Sequence, residues 1–115
     1  MTKSHDDAKS NCESNNGKLF EPKTLSINDG VWDKAKEIYS GNVWMWIGIN
    51  DKETEGTWVY ESDSAPVAIQ PVPWTSGEPS NSASAEHCGS FYTSFVRTWN
   101  DRRCTDSMEY ICEIV

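Results

Sequence analysis

An α+β fold is the class this sequence predicts, and three observations carry it. Apolar residues recur at helical spacing only before Val43, whereas beyond it they gather in short runs of the kind that make strands. Four cysteines occur with no spacing suited to a metal. Helices first, strands later, with covalent cross-links between them, is the arrangement these features share.

Each element has its own local reason. From Ser4 to Asn15 the chain carries Ser and Asp at a helix start, then Ala8 and Cys12 four residues apart, and it stops at Asn16-Gly17. Lys18-Leu19-Phe20 reads as a short strand. Ser26 to Tyr39 opens with Asn28 and Asp29, places Val31, Trp32, Ala35, Ile38 and Tyr39 on one helical face, and ends at Gly41-Asn42. Val43 to Ile49 is a buried-strand run, and Thr57 to Tyr60 is a second strand after Glu55-Gly56. Pro66, Pro71, Pro73, Gly77 and Pro79 then exclude regular structure across a long loop. Loops beyond about 15 residues inside a compact domain are functional or disordered. The Trp and Cys residues bracketing this one point to order. Gly89 to Arg97 and Met108 to Val115 are the remaining strands, joined by a loop from Trp99 to Ser107. No repeat or low-complexity tract interrupts this order.

Composition narrows the function classes. The chain has 115 residues and no compositional break, so one domain over 1–115 is expected. Hydrophobic residues make up only 37%, yet six are Trp, which suggests a small aromatic core reinforced by cross-links. A net charge of −8, with ten scattered Lys and Arg, argues against nucleic acid and anionic membranes. No apolar run is long enough to span a bilayer, and no Asn-x-Ser/Thr sequon occurs. Four cysteines permit three pairings, and neither His5 nor His87 lies at zinc-ligand spacing from a cysteine pair. Disulfides are the better account, and they place the chain in an oxidising, extracellular compartment. The polar start, Met1 to Asp7, is no secretory leader, so a mature or partial chain is expected.

Chemistry concentrates between Trp74 and Cys104. Glu78, Ser80, Glu86, Asn100 and Asp101 gather oxygen side chains onto loop sequence pinned by cysteines. A hard cation such as Ca²⁺ takes six to eight oxygen ligands and avoids sulfur and imidazole. Three carboxylates drawn together repel unless a cation neutralises them. A competing signal, Asp51-Lys-Glu53-Thr-Glu55-Gly56, imitates the start of an EF-hand loop, but its twelfth position is Ser62 where a bidentate Glu is required.

The chain resembles the C-type lectin-like domains. The residues that carry the likeness are Cys12, Trp46-Ile47-Gly48-Ile49, Glu55-Gly56-Thr57-Trp58, Trp74, Gly77-Glu78-Pro79-Ser80, Glu86-His87-Cys88, Trp99-Asn100-Asp101, Cys104 and Ile111-Cys112-Glu113. They cover nearly the whole chain in family order. The resemblance implies two helices with antiparallel strands, a long calcium-binding loop region, and disulfides pairing Cys12 with Cys112 and Cys88 with Cys104. By loop-closure estimates those bridges remove about 4.7 and about 3 kcal/mol of unfolded-state entropy. It implies Ca²⁺ ligation by Glu78, Ser80, Glu86, Asn100 and Asp101, the last also through its carbonyl, and a cis peptide before Pro79. Asp51, Glu55, Asn81 and His87 match a second cation site of some family members, with two positions poorly suited to calcium. It also implies a strand before the first helix, of which only Met1 to Lys3 are present, so a shortened strand or an open edge is expected.

In this family two adjacent sugar hydroxyls coordinate the ion directly, while the same five side chains hydrogen-bond those hydroxyls. Glu-Pro-Asn goes with mannose-type sugars and Gln-Pro-Asp with galactose; here the triplet is Glu-Pro-Ser. Glu78 can only accept hydrogen bonds, as in the mannose type, whereas Ser80 can donate or accept. Asn81-Ser-Ala-Ser-Ala offers no aromatic face of the kind galactose binders use. Mannose or fucose is therefore favoured, with galactose open if another loop supplies a ring.

The remaining prominent residues read as structural. Trp46, Trp58, Trp99 and Trp74 are expected in the core, His5 on the exposed helix surface, His87 as a candidate wall of the binding loop, and Arg102-Arg103 as balance for nearby acids. The leading expectation is a secreted, Ca²⁺-dependent binder of mono- or oligosaccharides on glycoconjugates, serving glycan recognition in innate defence or adhesion. A dimer or higher assembly would supply avidity. The alternative is a domain of the same fold that binds protein, ice or mineral. A hydrolase using Glu78 and Glu86 would need a pocket and perturbed acids, and no nucleophile–His pairing supports it, so no enzyme is expected.

Overall fold

The computed structural model describes residues 2–39, 41–79 and 85–114. In chain order the elements are α1 (His5–Ser14), β1 (Gly17–Leu19), α2 (Leu25–Ile38), β2 (Trp44–Asn50), β3 (Val59–Tyr60), β4 (Cys88–Tyr92), β5 (Phe95–Arg102), β6 (Glu109–Tyr110) and β7 (Cys112–Ile114). Two helices precede the main sheet, so the α+β class holds. A sheet ordered β3-β2-β4-β5 forms the centre, its neighbours antiparallel, with β6 added parallel to β2; β1 pairs antiparallel with β7.

Capping explains both helix starts. Ser4 accepts a hydrogen bond from the Asp7 N–H at 3.3 Å, and Asp6 and Asp7 place negative charge in the first turn of α1. Thr24 does the same for α2 by accepting from the Ile27 N–H at 3.1 Å. Asn28 and Asp29, expected at that helix start, lie inside the helix. Asn28 is fully buried: its carbonyl accepts from the Trp99 indole at 2.7 Å and its amide donates to the Arg97 carbonyl at 2.9 Å, which fastens α2 to β5.

His5 is a correction. Expected on an exposed surface, it is completely buried, because it shares the inward face of α1 with Ala8 and Cys12, at i+3 and i+7. Its ring packs edge-on against Trp46 at 5.1 Å, and Nε2 donates to the Ile47 carbonyl at 3.0 Å.

The last third of the chain is also more regular than its sequence suggested. Gly89 to Arg97 is no single strand: β4 and β5 form a hairpin that turns at Thr93-Ser94. Trp99 to Arg102, expected as loop, belongs to β5. Its register opposite β4 is Phe91↔Trp99, Ser90↔Asn100, Gly89↔Asp101 and Cys88↔Arg102. Asn and Asp are poor strand formers, and here tertiary pairing overrides that preference. Gly89 is required for this fit, since a Cβ there would lie 2.2 Å from Ile49 Cγ1. The C-terminal stretch divides into β6 and β7, and the expected edge is covered: β7 pairs with β1, while Lys3 exchanges two 2.9 Å backbone hydrogen bonds with Met108.

Trp46, Trp58 and Trp99 are buried. Trp74 is half-buried and meets Trp58 and Trp99 edge-on at 4.8 and 5.6 Å. Disulfides join Cys12 to Cys112, 100 residues apart, and Cys88 to Cys104, 16 apart. The first ties α1 to β7, and the second ties the start of β4 to the segment beyond β5.

Candidate metal centre

Three chain segments meet at the end of the β4–β5 hairpin. Asn100 and Asp101 are supplied by β5, both nearly buried. Glu78 comes from the long loop, which is clamped onto β5. Trp99 N–H donates to the Pro73 carbonyl at 2.8 Å, Thr75 N–H donates to the Trp99 carbonyl at 2.9 Å, and Glu78 N–H closes a turn onto Thr75 at 2.8 Å. Gly77 enters that turn at φ 86°, a conformation that favours glycine. The Glu78–Pro79 peptide is cis, as is Gln70–Pro71. Glu86 arrives two residues before the bridged Cys88.

The result is a convergence of negative charge. One carboxylate oxygen from each of Glu78, Glu86 and Asp101 lies within 4.8 Å of the other two. Thr75 Oγ1 donates to Asn100 Oδ1 at 2.9 Å, which orients the amide. The donor set is carboxylates and an amide, without sulfur or imidazole, and it suits a hard divalent cation. Ser80, the fifth expected ligand, lies outside the described residues.

A second cluster adjoins the first. Asp51 is buried, His87 Nδ1 lies 3.1 Å from Asp51 Oδ1 and 3.2 Å from Glu55 Oε1, and the Gly56 N–H donates to Asp51 Oδ2 at 2.9 Å. Partial desolvation, then the like charge of Asp51, hold the Glu55 carboxyl above the usual carboxylate range. Asn81, the other residue expected here, is outside the described residues. Asp51 to Gly56 therefore forms a bracket around His87, with strands rather than helices beside it.

A cleft of about 560 Å³ opens on the main cluster, lined by Glu78, Glu86, Asn100 and Asp101 together with Trp44, Arg102, Arg103 and Asp106. Arg102 balances a nearby acid, as expected, but its place and that of Trp44 in the lining of the cleft were not read from the sequence. The Trp44 ring stacks on Tyr92 at 4.1 Å, the Arg102 guanidinium lies 4.3 Å from the Trp44 ring, and Arg102 Nη2 donates to Asp106 Oδ2 at 3.0 Å. Two-residue spacing was the available signal: once Asn100 is in a strand, Arg102 must share its face.

Comparison with known proteins agrees with this fold. Residues 1–114 match the family model described as Lectin C-type domain. Human tetranectin is 30% identical over an alignment that covers 98% of this chain and 55% of that protein. A perlucin-like protein from Mytilus galloprovincialis is 35% identical, covering 94% of this chain and 67% of that one. The chain thus spans about half to two thirds of the length of these curated relatives. Among solved structures, the C-type lectin CEL-I from Cucumaria echinata superposes with a TM-score of 0.87 at 25% identity, covering 97% of this chain and 83% of that one. Human lithostathine superposes with a TM-score of 0.85 at 26% identity, covering 98% and 85%.

Proposed function

The chain belongs to the C-type lectin domain family, and from that membership we propose that it is a secreted Ca²⁺-dependent binder of carbohydrate. Glu78, Ser80, Glu86, Asn100 and Asp101 hold the ion, and adjacent sugar hydroxyls complete its coordination while hydrogen-bonding the same side chains. The observation that carries this reading is the meeting of three carboxylates within 4.8 Å at the floor of an open cleft. Such a meeting is one that a cation would stabilise, and the cleft leaves room above it for a saccharide. Calcium, when bound, supplies a Lewis-acidic centre that exchanges water for hydroxyls; the protein supplies position and acceptors.

Only one Ca²⁺ is assigned. In the cluster of Asp51, Glu55 and His87 an imidazole stands against the two carboxylates, a poor donor for calcium. The favoured sugars are mannose or fucose, whose hydroxyl pairs suit the acceptor-only Glu78. Trp44 is the aromatic ring that lines the cleft, but it is committed to Tyr92 and Arg102, so it does not furnish the platform that galactose would use. No catalytic role is assigned to Glu78 or Glu86, which serve as ligands.

A glycan array probed with and without Ca²⁺ tests the proposal. Binding confined to the calcium condition, and abolished by Asp101→Ala in a variant that still folds, is expected. Retained binding in chelator would sink the metal-bridge mechanism. Calcium affinity without any glycan signal would turn the reading toward a partner of protein, ice or mineral.

A further inference from the structure

A third cluster lies at the start of α1, away from the residues assigned to calcium. A ring nitrogen of His5 and one carboxylate oxygen from each of Asp6 and Glu61 lie within 4.8 Å of one another. His5 is fully buried, and its Nδ1 has no hydrogen-bond partner. A buried imidazole nitrogen left in that condition costs free energy unless something occupies it.

The tautomer follows from the geometry. A backbone carbonyl can only accept, so the 3.0 Å contact with Ile47 puts the proton on Nε2. Nδ1 then carries a bare lone pair, which makes it the ring nitrogen able to ligate in this cluster. An imidazole that donates one N–H to a backbone carbonyl and offers its other nitrogen outward is the usual outer arrangement of a metal-bound histidine. Glu61 is held in place by the Asn50 amide, which donates to Oε2 and leaves Oε1 for another partner.

We propose that His5, Asp6 and Glu61 form a site for a single Zn²⁺ ion, with water as the fourth ligand. One nitrogen and two carboxylate oxygens suit zinc, which accepts mixed N and O donors in tetrahedral array, and they suit calcium poorly. Without the ion, two ammonium groups balance the acids: Lys9 lies 3.4 Å from Glu61 Oε1, and Lys52 lies 2.8 Å from Asp6 Oδ1. Both lysine side chains are about one-third exposed, so each can swing into water as the ion takes its place. The lysines therefore compete with zinc, and removing one strengthens the site.

Titration of the Ca²⁺-saturated protein with ZnCl₂, followed by calorimetry and by the fluorescence of the tryptophans, tests this, since His5 touches Trp46. One saturable zinc per chain is expected. Glu61→Gln and Asp6→Asn should each weaken it by at least about tenfold, and Lys9→Met should tighten it. His5→Phe keeps the ring contact with Trp46 and should abolish binding; thermal unfolding of each variant checks the fold. Absence of saturable binding overturns the proposal. So does zinc binding that survives Glu61→Gln but disappears in Asp51→Asn, because that result assigns the ion to the cluster around His87.

Discussion

Thr75 illustrates how much of the candidate metal centre depends on a residue that would not touch the ion. Its hydroxyl holds Asn100 Oδ1, and its backbone N–H pins the loop to the Trp99 carbonyl. Thr75→Val keeps the shape and deletes only the hydroxyl, so Ca²⁺ affinity should fall about tenfold while the fold persists, as calcium titration would show. His5 permits a prediction of a different kind. Burial, the largest influence on it, pushes its imidazole below the ordinary 6.5, against the opposing pull of Glu61 and Asp6 and with the help of Lys52. As pH falls, the unfolded chain takes up this proton first. The stability that neutral His5 contributes is therefore complete above about pH 6.5 and is lost as pH drops below it. In chelator, thermal unfolding between pH 7 and pH 5 should fall less steeply for His5→Phe than for the parent; equal slopes would refute the assignment. Neither role could be read from sequence. Thr75 is one hydroxyl among many in a Ser- and Thr-rich loop, and His5 reads as polar on a helix whose inward face only the assembled sheet defines.

At the scale of elements, β5 is where sequence and structure differ most. Trp99-Asn100-Asp101 carries two of the proposed calcium ligands, and its polar residues read as loop because isolated strand preference disfavours them. The ladder with β4 reverses that, and the reversal matters for function: ligands on a paired strand are held more firmly than ligands on a loop. The helices were legible because their signals are local, a capping hydroxyl at Ser4 for α1 and a 3.6-residue apolar period for both, although the Thr24 cap of α2 was not read. Their contacts were not. Asn28 looked like part of a helix start, whereas it joins α2 to β5 through Trp99 and Arg97. Asn28→Ala should cost about 1–3 kcal/mol in denaturant unfolding by leaving a buried indole N–H unsatisfied. A loss well under 1 kcal/mol would mean that water replaces the amide.

For the molecule as a whole, family-order motifs made the two disulfides and the Trp-rich core readable, since such motifs preserve long-range neighbours that periodicity cannot. Pocket shape was beyond their reach: Trp44 and Arg102 line the cleft only because β2 and β5 lie on either side of β4. Binding linkage connects this scale to the ion. If Ca²⁺ binds the folded chain alone, a hundredfold excess over its dissociation constant should stabilise the protein by about 2.7 kcal/mol. Melting with and without calcium measures that shift, and Asp101→Ala should abolish it without lowering the calcium-free melting temperature by a comparable amount.

The Cys12–Cys112 bridge has a mechanical consequence. Tension applied between the two ends runs along the chain to Cys12, crosses the bridge and leaves from Cys112, so the 99 residues between them carry none of it. Every residue of the proposed calcium cluster and its cleft lies inside that bypassed stretch. A molecule stretched by its ends should keep its grip on an ion at forces that would unravel the reduced chain.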